Sequence, residues 1–250
     1  MLKGIYTTGM GLAMLEKRME TVSNNLANVD TTGYKKDVAL AKSFPNMLAF
    51  QLEDPMYRNI PWRKATGPVN LGVQFDQLYT DMSRGILKET GEPLNMAVAS
   101  EDGYFVLETP AGDRYTRNGE FHLSSEGVLV SSDGNAVQGQ NGQITLADSS
   151  FLLNEEGYIY DSGGTLVDRL RIVSLEGETK KQGYSLFQCD NVTEIDNIRV
   201  LQGYLEGANV NTITEMVNMI AVQRSYEANQ KVMQTHDATL EKAVNEVGRV

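Results

Sequence analysis

The sequence contains little of the residue chemistry that enzymes and metalloproteins commonly use. Its 250 residues include one cysteine, Cys189, and two histidines, His122 and His236. A single cysteine excludes an intrachain disulfide, and two distant histidines do not form a ligand set at metal-binding spacing. The many carboxylates include no pair in an apolar setting. We therefore predict no catalytic, metal or cofactor site and no enzymatic activity.

Positive charge is also scarce, with 22 Lys and Arg against 33 Asp and Glu and a formal net charge of −11. This balance repels the phosphate backbone of nucleic acids and anionic membrane surfaces. No apolar run approaches the roughly 18 residues that a membrane-spanning helix needs. Residues 1–6 also lack the pattern of a cleaved secretory signal. We expect no nucleic-acid partner and no membrane insertion.

Proline is rare, and most of it is concentrated in one part of the chain. Four of the six prolines, Pro45, Pro55, Pro61 and Pro68, fall within residues 35–78. Proline removes a backbone donor and punctuates regular structure. The composition predicts that this range is an extended connector with little regular structure.

Near the N-terminus, apolar residues repeat at helical spacing. The steps alternate between three and four residues, which is typical of an a/d seam on one helix face. The helix is expected to end near Thr32, with Gly33 providing a left-handed cap. The predicted seam residues are Leu12, Leu15, Met19, Val22, Leu26 and Val29.

The same spacing recurs near the C-terminus, where neither proline nor glycine interrupts residues 209–247. Polar residues occupy some seam positions, and they either fix the axial register of the helix or are solvated by a small rotation. The pattern leaves both readings open. The predicted C-terminal seam comprises Met216, Met219, Ile220, Gln223, Tyr226, Gln230, Met233, Asp237, Leu240, Val244 and Val247.

Between these helices, short apolar stretches alternate with tight-turn signals. Residues 104–107 and 158–160 are two such stretches, and Asp133-Gly134 and Asn141-Gly142 are two such turns. Asn-Gly and Asp-Gly supply the positive φ angles of hairpin turns, so the region is predicted to be an irregular all-β domain.

The predicted fold class is therefore mixed α and β, with long N- and C-terminal helices packed as a coiled-coil-like pair and a central irregular all-β domain. The helices either form an intrachain hairpin or also pack on other subunits, and the pattern does not choose. The expected domains are residues 1–34 (N-terminal axial helix), 35–78 (connector), 79–204 (β domain) and 205–250 (C-terminal axial helix).

Three segments carry a more specific signal. Residues 23–35, 115–121 and 205–211 resemble, in this order, signatures of the bacterial flagellar rod and hook axial protein family, and residues 215–229 are similar to that family's C-terminal helix. The matched signature positions are Asn24, Asn25, Leu26, Asn28, Gly33, Tyr34, Asn209, Asn211 and Arg224.

The resemblance implies a structural subunit of the flagellar basal-body rod that polymerises helically through its terminal helices into a torque-transmitting drive shaft. It favours the proximal over the distal rod type, because the connector does not match the distal rod's own insertion. The expected location is the basal body, in the periplasm or cell-wall space, after type III export without a cleaved signal peptide.

The implied partners are other copies of the chain, adjacent rod and hook subunits, surrounding ring or bushing proteins, and the flagellar export apparatus.

The asparagines of the signature segments have their own expected roles. We expect the amides of Asn24, Asn25 and Asn28 to hydrogen-bond to neighbouring helices. Asn209 and Asn211 are expected to cap the C-terminal helix, a position that asparagine favours.

A second interpretation is a surface β-domain binding module for carbohydrate or protein, tethered by a helical hairpin. The aromatic residues Tyr104, Phe105, Tyr158 and Tyr160 would form its binding platform. Core packing is the commoner use of such side chains.

The seams at the two chain ends lead to a first prediction. In dilute solution, we expect fast hydrogen exchange in the N- and C-terminal helices and slow exchange in the β domain. Amphipathic helices gain most of their stability from packing and are weakly ordered without their partners. Strong protection of both ends in a dilute monomer would contradict assembly through these helices.

Overall fold

The computed structural model describes residues 2–51, 64–70, 72–148, 151–177, 179–195 and 198–247. The chain divides into two compact units. The first unit comprises Met1–Asn24, Asp37–Tyr79 and Ile213–Val250, and the second comprises Asn25–Lys36 and Thr80–Thr212.

Two long helices lie near the chain ends. Helix α1 spans Leu2–Ala27 and helix α2 spans Thr212–Lys242, and α2 is followed by one π-helical turn, Ala243–Val247. Helix α1 ends five residues before Thr32, so the predicted end was wrong, and Val29 lies beyond the helix.

The early end of α1 has a local cause. Asparagine and aspartate are poor helix formers that favour turns, and they occupy positions 28 and 30. The Asn28 carbonyl accepts the Thr31 N–H at 3.1 Å, and the Thr31 hydroxyl bonds the Asn28 side chain at 3.2 Å. Gly33 adopts the predicted left-handed conformation, with φ of 67°.

Within the first unit, glycines of α1 lie opposite side chains of α2. A Cβ added at Gly4 would lie 2.9 Å from the His236 ring, and one at Gly9 would lie 3.6 Å from Met233 Cε. The helices therefore run antiparallel, with small residues of α1 admitting large side chains of α2.

Three strands and most of a fourth fall within the predicted connector, so the expectation of little regular structure was wrong. They are β1 (Asp37–Ser43), β2 (Met47–Gln51), β3 (Lys64–Val69) and β4 (Val73–Thr80), and β1 pairs with β4 and β2 with β3. A two-stranded sheet has only edge strands, which tolerate proline, and Pro68 is paired with Leu48. Residues 52–63 and 71 of the connector lie outside the described residues.

The second unit contains the remaining strands. They are β5 (Leu87–Glu89), β6 (Met96–Val98), β7 (Tyr104–Thr109), β8 (Gly112–Thr116), β9 (Phe121–Leu123), β10 (Leu129–Ser131), β11 (Ala136–Gly139), β12 (Gly142–Gln143), β13 (Phe151–Leu153), β14 (Tyr158–Asp161), β15 (Leu166–Arg169), β16 (Ile172–Glu176), β17 (Lys180–Gln182), β18 (Leu186–Gln188), β19 (Asn191–Glu194), β20 (Val200–Gln202) and β21 (Tyr204–Glu206).

One large antiparallel sheet dominates this unit. Its central order is β17-β18-β8-β7-β11-β10-β9, with β16 also pairing β7 and β19, and β12 pairing β11. Strands β13, β14 and β15 form a separate three-stranded sheet, and β6–β20 and β5–β21 are two-stranded pairs.

Strand β7 lies between two apolar clusters of this unit. Phe105 and Leu107 belong to the larger cluster, whereas Tyr104 and Val106 belong to the smaller one, which also contains Cys189. Successive side chains of a strand point to opposite faces, so the uninterrupted apolar run of β7 is explained by burial on both faces.

The structure confirms a mixed fold with helices near both ends and a central β-rich region. Within the described residues, neither helix combines the length and the apolar composition that crossing a membrane requires. In the same part of the chain, no group of three or more His, Cys, Asp or Glu is arranged to hold a metal ion.

The core leads to a second prediction. Leu107→Ala should lower the free energy of unfolding by about 2–5 kcal/mol, because Leu107 is almost completely buried and its loss leaves a cavity. The matched change Leu152→Ala, at an exposed position, should cost less than about 0.5 kcal/mol. Denaturant unfolding of the dilute chain measures both values, and similar costs would contradict the assigned core.

Candidate assembly site

The second unit brings together the three signature segments that the sequence singles out. The turn after α1 meets the end of β21, where the Gly33 N–H donates to the Glu206 carbonyl at 2.7 Å. The turn after β8 joins them, because the Thr32 hydroxyl donates to Asn118 Oδ1 at 2.7 Å. Segments separated by more than 80 residues in the chain therefore form one junction.

A buried ionic cluster lies at the centre of this junction, which we call the junction cluster: Lys35, Arg117 and Glu206. Lys35 Nζ lies 2.5 Å from Glu206 Oε1, and Arg117 Nη1 lies 3.3 Å from Glu206 Oε2. All three side chains are inaccessible to solvent. One carboxylate therefore bridges two cations, each contributed by a different signature segment.

Backbone groups complete the coordination of the Glu206 carboxylate and the Lys35 ammonium. The Gly85 N–H donates to Glu206 Oε1 at 2.9 Å, and Lys35 Nζ donates to the Ser83 carbonyl at 2.8 Å. Buried charges are costly unless they are paired and hydrogen-bonded. The loop before β5 thus provides the partners that make burial of this pair tolerable.

Arg117 is held by carbonyl oxygens and by an aromatic ring. Its Nη1 donates to the Ser100 carbonyl at 2.9 Å, and Nη2 donates to the Glu101 carbonyl. Its guanidinium carbon lies 4.6 Å from the centre of the Tyr104 ring, in cation–π geometry. This environment fixes the arginine in one position facing Glu206.

The pKa of Lys35 is lowered from its ordinary value, and the main cause is burial of the ammonium. The nearby Glu206 carboxylate acts in the opposite direction and favours the charged form, whereas Arg117 adds to the lowering. Desolvation and a like charge both disfavour an ammonium ion. Among the neighbouring groups, Glu206 is therefore the largest influence that favours the charged form of Lys35.

Gly33 is required by close packing as well as by its backbone angle. A Cβ at this position would lie 2.4 Å from Asn118 N and 2.6 Å from the Arg117 carbonyl carbon. Real Cβ atoms do not approach backbone so closely, so any other residue would separate the two segments.

The side chain of Asn209, just before α2, hydrogen-bonds to backbone groups of other segments. It does not cap α2 as predicted. Its Oδ1 accepts the Lys36 N–H at 2.8 Å, and its Nδ2 donates to the carbonyls of Asp81 and Ser83 at 2.8 and 3.1 Å. The side-chain amide of Asn209 thus hydrogen-bonds to backbone groups of two separate segments of the chain. Asn211 lies immediately before α2, where a cap is placed, and it is exposed.

Two of the other signature asparagines, Asn25 and Asn28, bond residues of the turn that follows α1. Asn25 is buried and its Oδ1 accepts the Tyr34 hydroxyl at 3.1 Å, so this amide bonds a side chain of its own turn. Tyr34 is buried too, with Lys181 Nζ 4.0 Å from its ring centre. Asn28 bonds Thr31 within the same turn, and Asn24 is exposed on α1.

The predicted N-terminal seam residues are all half-buried, and none is fully buried. The buried side chains of α1 are instead Met14, Thr21 and Asn25. At 3.6 residues per turn, they lie on a face that is rotated by roughly 100° from the predicted seam. In the first unit, Thr21 and Phe75 line the same cavity between α1 and β4. The seam residues Leu12, Leu15, Met19, Val22, Leu26 and Val29 therefore keep part of their apolar surface free.

The half-buried side of α2 coincides with part of the predicted seam. At the other seam positions, the half-buried residue is the one before the predicted residue. Every seventh seam residue is half-buried as expected, namely Met219, Tyr226, Met233 and Leu240. Between them, the half-buried positions are Val222, Asn229 and His236. The remaining predicted positions are exposed, namely Met216, Ile220, Gln223, Gln230, Asp237 and Val244, and the side chain of Val247 lies outside the described residues.

As a result, α2 carries a second apolar stripe on its exposed side, which we call the outer stripe: Ile213, Met216, Val217 and Ile220. Their exposed fractions are 75%, 49%, 60% and 52%. The spacing of three, one and three residues places them on one helix face. Among the family signature positions, Arg224 is exposed one turn further along α2.

The aromatic platform of the alternative binding module does not form. Tyr104 and Phe105 are buried in the two apolar clusters, because β7 is covered on both faces. Tyr158 and Tyr160 are half-buried on β14.

Sequence reasoning did not identify the junction cluster. Lys35, Arg117 and Glu206 all lie within or beside the signature segments, but charged residues in turn-like sequence usually face solvent. The sequence did contain one signal for this cluster. Two of the signature segments contribute a cation and the third contributes a carboxylate.

In a comparison with known proteins, each of the three segments matches a family model of flagellar rod or hook proteins. Residues 5–35 match the family described as "Flagella basal body rod protein", residues 100–160 match "Flagellar hook protein FlgE/F/G D1 domain", and residues 201–246 match "Flagellar basal body rod FlgEFG protein C-terminal". The three matches together include each member of the junction cluster.

Full-length relatives agree with these matches. The chain is 28% identical to the flagellar hook-basal body complex protein FlhO of Bacillus subtilis, over 100% of both chains. It is 27% identical to the basal-body rod protein FlgG of the same organism, over 98% of this chain and 99% of the relative. It is 26% identical to the basal-body rod protein FlgF of Mesorhizobium japonicum, over 99% of both.

These similarities define the class as a structural protein and not an enzyme. The chain belongs to the flagellar basal-body rod protein family.

The junction cluster leads to a third prediction. Glu206→Gln should lower the free energy of unfolding by about 3–5 kcal/mol, because it leaves two buried cations without their counter-charge. The control Glu194→Gln removes a partner of Arg171 at an exposed ion pair and should cost less than about 1 kcal/mol. Denaturant unfolding measures both variants, and a small cost at Glu206 would remove the cluster from the stability of the junction.

Proposed function

We propose that this chain polymerises helically through its terminal helices to form part of the flagellar rod, a shaft that transmits torque. The observation that carries this proposal is the outer stripe of α2, whose four apolar side chains are about half exposed or more in the single chain. Contiguous apolar surface of this kind marks an interaction site. The occupant is the corresponding helical region of another copy or of a related rod subunit.

The energetics fit an assembly of many weak contacts. Full burial of a Val, Ile or Met side chain contributes about 1.5–3 kcal/mol, and the outer stripe and the N-terminal seam each offer several partly exposed ones. In a filament, each subunit uses its surfaces toward more than one neighbour. The gain then accumulates along the shaft although a single contact is weak.

Helical growth follows from unlike surfaces on one chain. Contacts between different patches of successive copies are heterologous, and they generate open helices when the rotation does not close. Coiled-coil-like packing of α1 and α2 with neighbouring helices is part of this proposal. The exposed Gln223, Gln230 and Asp237 then fix the axial register where they meet neighbouring subunits.

The junction cluster gives such a shaft rigidity within each subunit. Glu206 joins residue 35, just after the turn of α1, to β8 through Arg117 and to the loop before β5 through Gly85. Load on the segment after α1 passes into the β domain through buried ionic contacts. Exposed contacts are weaker because water and salt screen them.

The proposed location is the basal body, in the periplasm or cell-wall space, after type III export without a cleaved signal peptide. The proposed partners are copies of this chain, adjacent rod and hook subunits, surrounding ring or bushing proteins, and the export apparatus. The names of relatives, which include FlgG, FlgF and a hook-basal body complex protein, support the rod and hook partners. The proximal position in the rod stays a prediction.

A fourth prediction tests this function. The double variant Val217→Asp/Ile220→Asp should fail to enter basal bodies and should self-associate at least tenfold more weakly, because its carboxylates cannot be buried in an apolar contact. Sedimentation over a concentration series and analysis of purified basal bodies measure the two effects.

Asn218→Asp, at an exposed position of the same turn, is the matched control and should assemble normally. Both proteins should keep the β domain's thermal transition. Normal incorporation of the double variant would exclude the outer stripe from assembly.

A further inference from the structure

The junction of the second unit contains three segments that bond to one another, which we call the latch: residues 31–36, 83–89 and 204–209. The Gly207 N–H donates to the Ile86 carbonyl at 2.9 Å, and β21 pairs with β5 over three residues of each strand. The Lys35–Glu206 contact adds a buried ion pair between the first and third segments. The latch is therefore one connected group of contacts.

Polar contacts attach the latch to the large sheet. Arg117, just after β8, bonds Glu206 at 3.3 Å. Lys181 of β17 donates to the Lys35 carbonyl at 2.7 Å, and Asn118 Oδ1 accepts a hydroxyl of the latch at 2.7 Å. Such contacts contribute modestly to stability, because each replaces hydrogen bonds or solvation that water provides in the open state.

Apolar burial holds the rest of the unit. Among the residues that the structure describes, neither apolar cluster has a member within the latch. The boundary falls at Gly203, because Val200 of β20 is buried in the larger cluster and β21 begins at Tyr204. Apolar burial is the dominant favourable term in folding, and segments with few buried apolar contacts open at lower free energy. Separation of the latch thus costs less than unfolding of the large sheet.

The segments of the latch depend on one carboxylate. Glu206 is the counter-charge of both Lys35 and Arg117. Its Oε1 also accepts the Gly85 N–H at 2.9 Å. Withdrawal of either charged segment alone leaves a buried charge without its partner, which is strongly unfavourable. The segments therefore separate together.

The latch also lies next to the two helix-bearing ends of the chain. Helix α1 ends at Ala27, eight residues before Lys35, and α2 begins at Thr212, six residues after Glu206. One ionic contact therefore fixes the connection to α1 and the connection to α2 at the same place on the second unit.

We propose that the latch opens as one unit while the large sheet stays folded, and that this opening releases the connections to α1 and α2 together. The opening is a property of the single chain and goes beyond the proposed function. Where that function holds, neighbouring subunits that bind both helices only in the closed form also keep the latch closed, by linkage.

Hydrogen exchange of the dilute, full-length chain under native conditions tests this opening. The reporters are the amides of Gly33 and Gly207, which are hydrogen-bonded within the latch, and the amides of β7. After correction for intrinsic rates, the two latch amides should show the same protection and exchange at least about tenfold faster than β7. Equal protection of the latch and β7 would overturn the proposal, since the latch would then open only by global unfolding.

Leu107→Ala separates latch opening from global unfolding. The cavity weakens the large sheet equally whether the latch is closed or open. Exchange of β7 should therefore become at least about 30-fold faster, whereas exchange at Gly33 and Gly207 should change less than about twofold. Similar acceleration at both sites would overturn the proposal.

Thr32→Val removes the hydroxyl that the latch donates to Asn118 and leaves the buried charges in place, so the variant should fold. It should speed exchange at Gly33 and Gly207 alike, by about fivefold. The matched control Thr165→Val, at an exposed position of the second unit, should leave both rates unchanged. Acceleration at Gly33 without acceleration at Gly207 would show that the segments open separately and would overturn the proposal.

The outcome is independent of assembly, because all these measurements use the dilute chain. If the latch opens as expected and the Val217→Asp/Ile220→Asp variant assembles normally, the proposed function loses its helical contact and this inference stands. If that variant fails to assemble and the latch shows the protection of β7, only this inference fails.

Discussion

The bridge that Glu206 makes between Lys35 and Arg117 is the interaction on which the arrangement of the second unit depends. It joins three segments that are far apart in the sequence, and all three side chains are inaccessible to solvent. A buried ion pair is weak evidence for added stability, because desolvation offsets attraction. Here the bridge fixes the positions of the three segments, because both buried cations need the Glu206 carboxylate as their counter-charge. Gly33 and Gly85 permit that geometry by letting backbone approach where a side chain would collide.

Outside this junction, the chain leaves a number of large apolar side chains exposed. The outer stripe of α2 is exposed, and so are Leu152 and Leu166 of the three-stranded sheet, whereas the side chains of β7 are buried in the two apolar clusters. This division fits the proposed assembly, in which neighbouring subunits would cover the exposed apolar surfaces. Family membership and the exposed surfaces support the same conclusion from different directions.

Much of the fold was predictable because it rests on local patterns. The 3-4 spacing of apolar residues indicated both helices, and turn dipeptides between short apolar runs indicated the β domain. The signature segments indicated the family. The strands in residues 35–78 were missed, since prolines suggested a connector while two-stranded edges in fact accommodate them. The end of α1 was placed too late because the turn at Asn28 depends on contacts that its own side chain makes.

The sequence by itself determined the class of fold and the family, because helical spacing, turn dipeptides and signature segments are encoded in neighbouring residues. Only the tertiary structure decided which of two adjacent registers α2 presents inward, since a 3-4 pattern with apolar residues on two sides fits both. It alone also brought Lys35, Arg117 and Glu206 together. Their contact joins residues up to 171 positions apart, and no local pattern records which distant charges share one buried site.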